Sequence, residues 1–364
     1  MISKERVIKA VEHKEPDRVP IFASFTPEVA EMLKERFGFS EPELGVRLGN
    51  DIVLAEVGMA TSYYEGSCFS LSSGPPLEGR IYVDEWGIKW KWIKYKKGYY
   101  TEIIEHPLAN AKLEDLKKYK IPDPLKRERF KEPEKIIKVY GSKYAIVGGL
   151  VFTIEAARYL RGTVKFFIDM IKNKEFANML LDIVTDFHVK ACKKLIEMGV
   201  DIIWVADDVG MQDRMMISPD IWREYLKPRY KAIFNEFKEL NPEIKIAYHS
   251  DGSIEPIIPD LIEIGLDILN PVQPRAKGMN PELLKRKYGD KLTFWGAIDI
   301  QWTMPFGTPK DVALEVKERI KTMAPGGGFI ISPSHNIQPD TPIENILAFY
   351  QSAKEYGKYP IKDL

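Results

Sequence analysis

His249 and Asp251 stand two apart in "KIAYHSDG", at the end of an apolar run, and His335 closes a second such run in "FIISPSHNIQPDTP". The chain has only five histidines, so two at such ends call for an explanation. On an extended segment, side chains at i and i+2 point the same way. An imidazole and a carboxylate can therefore project together. With His335 they make two imidazoles and one carboxylate, a donor set that can hold a divalent metal and leave one coordination position open. Each residue alone has a plainer reading. Asp251 before Gly252 suits a turn, and His249 suits a bonded core position.

Other run ends add polar groups. Glu56 lies among apolar residues in "VLAEVG", where burial would raise a carboxyl pKa unless it is paired. Asp207 and Asp208 follow each other in "VADDVGMQD". Neighbours on a strand face opposite ways, so one points to the strand-end site and the other anchors a loop or caps. Asn270, Gln273 and Asp299 close two further runs.

Eight short, β-rich apolar runs can position these groups: 19–25, 51–57, 144–150, 201–207, 245–251, 267–272, 292–298 and 328–334. Continuous apolar runs suit strands buried on both faces, as in parallel sheets. Helical patterns lie between them. "NKEFANMLLDIVTDFHVKACKKLIEMG" ends on Gly199 as a stop, and Ser218–Pro219, Thr308–Pro309 and Thr341–Pro342 open three more as cap and first turn. Eight strands alternating with helices predict an α/β fold, a (β/α)8 barrel, whose active site forms at the carboxyl ends of the strands. A doubly wound open sheet is the alternative, and no glycine-rich dinucleotide fingerprint follows any run. One domain over 1–364 is expected. An insertion at about 60–125 breaks the rhythm: "GRIYVDEWGIKWKWIKYKKGYYTEIIEH" alternates through Ile88, Trp90 and Trp92, predicting an antiparallel hairpin elaboration after the second strand.

Lysine plus arginine equals aspartate plus glutamate, 53 each, so no global basic field marks nucleic acid or an anionic membrane as main partner. No apolar stretch reaches the roughly 20 residues of a membrane helix. The two cysteines share no metal-type spacing. Cys192 reads as core, Cys68 as a loop residue, and a reducing, cytoplasmic location fits both.

The stretches "RVIKAVEHKEPDRVPI", "SPDIWREYLKP", "HSDG" and "SPSHNIQPDTPIENI" together resemble the uroporphyrinogen decarboxylase superfamily. That superfamily contains haem-pathway decarboxylases and corrinoid-dependent methyltransferases, and the resemblance implies a (β/α)8 barrel for both. Glu56 stands at the place of the decarboxylases' aspartate, and His335 matches their last-strand histidine. Their arginine-rich stretch after the first strand is missing, since no arginine lies between Arg18 and Arg36. Their tyrosine after the third strand is also missing, and "FTIEAARYLRG" offers Arg158 and Tyr159 there. In the thiol-directed methyltransferases, His249 matches the zinc-binding histidine, while Asp251 and His335 replace the two cysteines.

The resemblance thus implies a metal-dependent methyltransferase of the O-demethylase type. It would move a methyl group from a small methoxylated aromatic, or a related donor, to a corrinoid supplied by a partner protein. His249, Asp251 and His335 would hold a divalent metal, zinc being the first choice. Glu56 or Asp207, with His335, would serve in catalysis. Arg158 and Asn270 would contact substrate, and Tyr63, Tyr64, Trp86 and Trp302 either wall an apolar pocket or pack the core. A homodimer is implied by the resemblance alone. Two alternatives stand beside this reading: a decarboxylase acting on a tetrapyrrole or smaller acid through Glu56 and His335, and a barrel that only binds ligand.

Overall fold

A computed structural model describes residues 1–57, 79–95 and 98–361. Seven strands form one parallel sheet: β1 (Ile52–Ala55), β5 (Ala145–Val151), β6 (Ile202–Ala206), β7 (Lys245–His249), β8 (Ile268–Val272), β9 (Thr293–Ile298) and β10 (Phe329–Pro333). They adjoin in chain order, each step crossing over through helix, as repeated βαβ units require. Helix Lys174–Met198 ends on Gly199 in the left-handed conformation, and Ser218 and Thr308 accept backbone N–H groups as N-caps. Thr341 departs from that expectation: it is buried, and helix Ile343–Tyr356 begins without a side-chain cap.

The expected strand at 19–25 lies between the two edge strands but registers only as isolated bridges, Ile21 to Ile331 and Phe25 to Ile337. On the β10 side, Phe22 N donates to Ile331 O at 3.1 Å and Ile331 N to Pro20 O at 3.0 Å. On the β1 side, Asp51 N donates to Ile21 O at 2.8 Å, and the Asn50 amide bonds both N and O of Ala23. Pro20 brings no N–H, and a side chain replaces part of the second ladder. The segment still closes the ring, giving the expected (β/α)8 barrel.

Strand alternation sorts the core into two clusters. Ile52, Leu54, Val147, Ile202, Trp204, Ala247, Ile268, Trp295 and Ile330, with Phe22, face the barrel interior. Their neighbours pack outward in a much larger cluster with the helices. The interior is filled by aromatic rings: Phe22 meets Trp295 at 5.2 Å, and Trp295 meets Trp204 at 5.3 Å. Trp204 in turn lies 5.4 Å from the His249 ring. The filled core therefore stops directly beneath His249.

The elaboration is a three-stranded antiparallel sheet, β2 (Ile81–Val83), β3 (Lys89–Tyr95) and β4 (Gly98–Glu105). Trp90 stands edge-on to Tyr159 at 5.7 Å, docking this sheet on the helix behind β5. Trp86, considered above as a pocket wall, is buried against Phe187 at 4.8 Å and belongs to the core. Cys192 is buried as expected, whereas Tyr63, Tyr64 and Cys68 lie outside the described residues. No helix among the described residues is long and apolar enough to cross a membrane.

Candidate active site

The same alternation settles the Asp207–Asp208 pair. Asp207 follows Ile203 and Val205, which face the helices; Asp208 follows Ile202 and Trp204, which face the interior. Asp207 is fully buried and accepts from the backbone N–H groups of Thr153, Ile154 and Glu155 at 2.9–3.1 Å and from the Tyr230 hydroxyl. Burial pushes its carboxyl up to about 7, against the pull of these donors. Expected above as a catalytic group, Asp207 is instead committed to fastening the start of helix Ile154–Arg161 to the end of β6.

Asp208 joins the strand-end cluster. Its Oδ1 accepts from Asp251 N at 2.8 Å and lies 3.9 Å from His249 Nε2. His335 Nε2 lies 3.7 Å from Asp251 Oδ2, and the two imidazole rings are 6.3 Å apart. One donor atom each from Asp208, His249 and Asp251 falls within 4.8 Å of the others. On its other side, His249 Nδ1 meets the Oδ1 of buried Asn270 at 2.5 Å. With an amide oxygen there, Nδ1 carries the proton and the Nε2 lone pair turns toward Asp208, the arrangement an outer partner imposes on a ligating histidine.

Asp251 is the least satisfied group. Its Oδ1 is buried with no hydrogen-bond partner among the described residues. Burial, and then neighbouring Asp208, push this carboxyl upward, while the two imidazoles draw it down. Two glycines hold it there. A Cβ at Gly210 would sit 2.3 Å from the Asp251 carbonyl oxygen, and Gly252 has φ +81°. The "HSDG" turn is thus a close crossing of two loops.

The residues fit a divalent cation. The N···O separations of 3.7 and 3.9 Å exceed a hydrogen bond. They approach the edge of roughly 3.4 Å spanned by donors about 2.1 Å from one tetrahedral ion. Asp208, His249 and Asp251 form a converging donor set without sulfur, and His335 adds a second imidazole 3.7 Å from Asp251 Oδ2.

Glu56 continues the interior side of Ile52 and Leu54, and burial pushes its carboxyl up to about 7. Arg158 is half-buried and donates from Nη1 to Asp208 O at 3.3 Å. Trp302 is 61% exposed and its ring lies 5.5 Å from that of Phe306, tilted by 55°, so among the described residues it stands on the rim. Asp299, which was also noted at a strand end, is buried and pairs with Arg275 at 3.2 Å. Glu155 was not singled out from the sequence. It is half-buried, accepts from the Tyr159 hydroxyl, and is pushed up by burial and by Asp208 while His249 draws it down. Its only signal was its place in the first turn behind β5.

Over 364 residues the chain is 25% identical to a methylcobamide:CoM methyltransferase MtaA of Methanosarcina barkeri, spanning 97% of this chain and 98% of that protein. It is 24% identical over 359 residues to the MtbA methyltransferase of Methanosarcina acetivorans, with the same coverage. A solved methyltransferase from Methanosarcina mazei superposes with a TM-score of 0.71 at 21% identity, covering 98% of this chain and 99% of that one, which shows the shared fold. Matches to decarboxylases proper span less of the chain, so it stands nearer the methyltransferase branch. The family model for uroporphyrinogen decarboxylase (URO-D) matches residues 92–356, more than half of the sequence, and the chain belongs to that family.

Proposed function

We propose that this chain is a methyltransferase that moves a methyl group between a small substrate and a corrinoid carried by a partner protein. His249, Asp251 and His335 hold a divalent cation, zinc by preference, and Asp208 closes the set. The observation that carries this reading is the Asp251 carboxylate: its Oδ1 is buried with no hydrogen-bond partner among the described residues, its Oδ2 lies 3.7 Å from His335 Nε2, and donor atoms of Asp208, His249 and Asp251 fall within 4.8 Å of one another. The activities named for the full-length relatives support the corrinoid part.

A divalent ion bound there would supply Lewis acidity to the substrate's heteroatom. The protein does the rest. Asn270 orients His249, Asp207 pins the loop beside the site, and the ring of Trp204 floors it. Donors of nitrogen and oxygen only, with no thiolate, suit polarisation of an ether oxygen. The proposed substrate is therefore an O-methyl donor such as a methoxylated aromatic. The methyl–oxygen bond would break with its electron pair left on oxygen as the methyl group passes to the reduced cobalt of the partner's corrinoid, and Glu56, with its carboxyl near 7, would deliver the proton that oxygen takes up.

The test is metal analysis of the purified protein together with methyl transfer from a methoxyarene to free cob(I)alamin. Stoichiometric metal is expected in the wild type. Asp251→Asn and His335→Ala should lose it, with activity lower by at least about 100-fold. Absent metal, or transfer indifferent to both changes, defeats the proposal. Metal-free decarboxylation of uroporphyrinogen would put the carboxy-lyase alternative in its place.

A further inference from the structure

The elaboration departs from the common pattern of an antiparallel sheet, with one apolar face inward and one polar face to water. Its inner face is fixed to the barrel. Tyr82 and Trp92 are buried there, Trp90 stands against Tyr159, and Glu85 in the β2–β3 turn pairs with buried Arg129 at 2.5 Å. Period-two alternation and the pairing register put Ile81 and Val83 of β2, Tyr95 of β3 and Tyr100 of β4 on the opposite, outer face. These side chains are 53, 44, 39 and 49% exposed, and the two tyrosine rings lie 6.2 Å apart. A contiguous apolar face held rigidly toward water marks a contact surface. The family match begins at residue 92, so β2 and the first residues of β3 lie outside it.

Charge on this face selects the partner. Lys89 and Lys91 stand in one row on β3, with Glu105 and Glu102 opposite them on β4. Lys89 and Glu105 form an ion pair, and the four charges sum to zero, so an identical face is not repelled. A two-fold axis parallel to the strands, between β3 and β4, sets the lysine row of each copy over the glutamate row of the other. We propose that a second copy of this chain packs on the outer face of the elaboration, face to face about that axis. Three strands about 4.8 Å apart and seven residues long offer a face of roughly 14 by 23 Å. That area is small for a permanent contact, so the dimer is reversible, with a dissociation constant of about 1–100 µM. The contact lies on the back of the elaboration and does not depend on the chemistry at the strand ends.

Sedimentation equilibrium of the full chain from about 1 to 500 µM tests it, and the average mass should climb from one chain toward two. Tyr100→Lys sets a cation into the contact and should weaken association at least about tenfold. Lys91→Glu or Glu102→Lys alone gives the face a net charge that meets its own kind, and should weaken association by a similar factor. The double exchange, Lys91→Glu with Glu102→Lys, restores neutrality and should return the constant to within about threefold of wild type, which also shows that these positions tolerate the changes. Val164→Lys alters a side chain 73% exposed on helix Thr163–Lys172 and should leave association as it was. A single chain at every concentration overturns the proposal and hands the face to another occupant, residues 58–78 or a different protein. Association that ignores Tyr100→Lys and both single charge changes, that falls with Val164→Lys instead, or that the double exchange fails to restore overturns it as well.

Discussion

The two ends of the barrel treat their buried carboxylates in opposite ways. At the amino-terminal end Asp51 is fully buried and saturated. It accepts from Arg6 and Arg18 at 2.7 Å each, from Ser3 Oγ at 2.7 Å and from Ile21 N at 2.8 Å. At the carboxyl-terminal end Asp251 keeps its Oδ1 bare among the described residues, and His335 Nε2 stands 3.7 Å from its Oδ2. Both groups sit beside strands of one sheet, so burial alone does not separate them. The difference lies in whether the protein itself completes their bonding. A completed set stabilises the fold, whereas an incomplete one in a buried place is set up for a ligand.

Three experiments bear on that contrast. Asp51→Ala strands Arg18 and leaves Arg6 with Asp17 alone, and should cost about 3–5 kcal/mol in urea unfolding, without changing metal content per folded molecule. Asp251→Asn should leave the metal-free protein within about 1 kcal/mol of wild type, since it removes an unsatisfied carboxylate. Equal losses from the two changes would break the comparison. Asn270→Ala frees the His249 ring and should weaken metal binding about 10- to 100-fold in competition with a chromophoric chelator. Unchanged affinity would reduce Asn270 to packing.

A fourth effect, dependent on pH, concerns an exception near the paired end. Glu41 has a buried Oε1 with no hydrogen-bond partner among the described residues, and burial pushes its carboxyl up to about 7. Between the unfolded value of about 4.3 and that figure, the folded protein keeps a proton the unfolded chain has lost. Stability from this group therefore falls as pH rises through that window. Glu41→Gln should match wild type at pH near 4 and gain about 3–4 kcal/mol near pH 8. A gain of equal size at both pH values would sink the assignment.

Much of the architecture was readable beforehand because each strand is a short apolar run closed by a polar residue. The period of two placed His249 and Asp251 together, and with Trp204 as reference it could also have chosen between Asp207 and Asp208. The partners of Asp207 were hidden, since Thr153, Ile154 and Glu155 lie more than fifty residues earlier and offer only backbone N–H groups. The weakness of the first strand follows from Pro20, but the substitute ladder made by Asn50 has no local signature.

Taken alone, the order of residues determined the βα alternation, the antiparallel elaboration and which polar groups reach strand ends, because apolar period and turn chemistry are local properties. Only the closed tertiary structure decided which of those groups are left incomplete. Asp51 and Asp251 are the same residue type at strand ends, and what distinguishes them is whether donors far away in the chain arrive at their oxygens. That depends on how the ring closes.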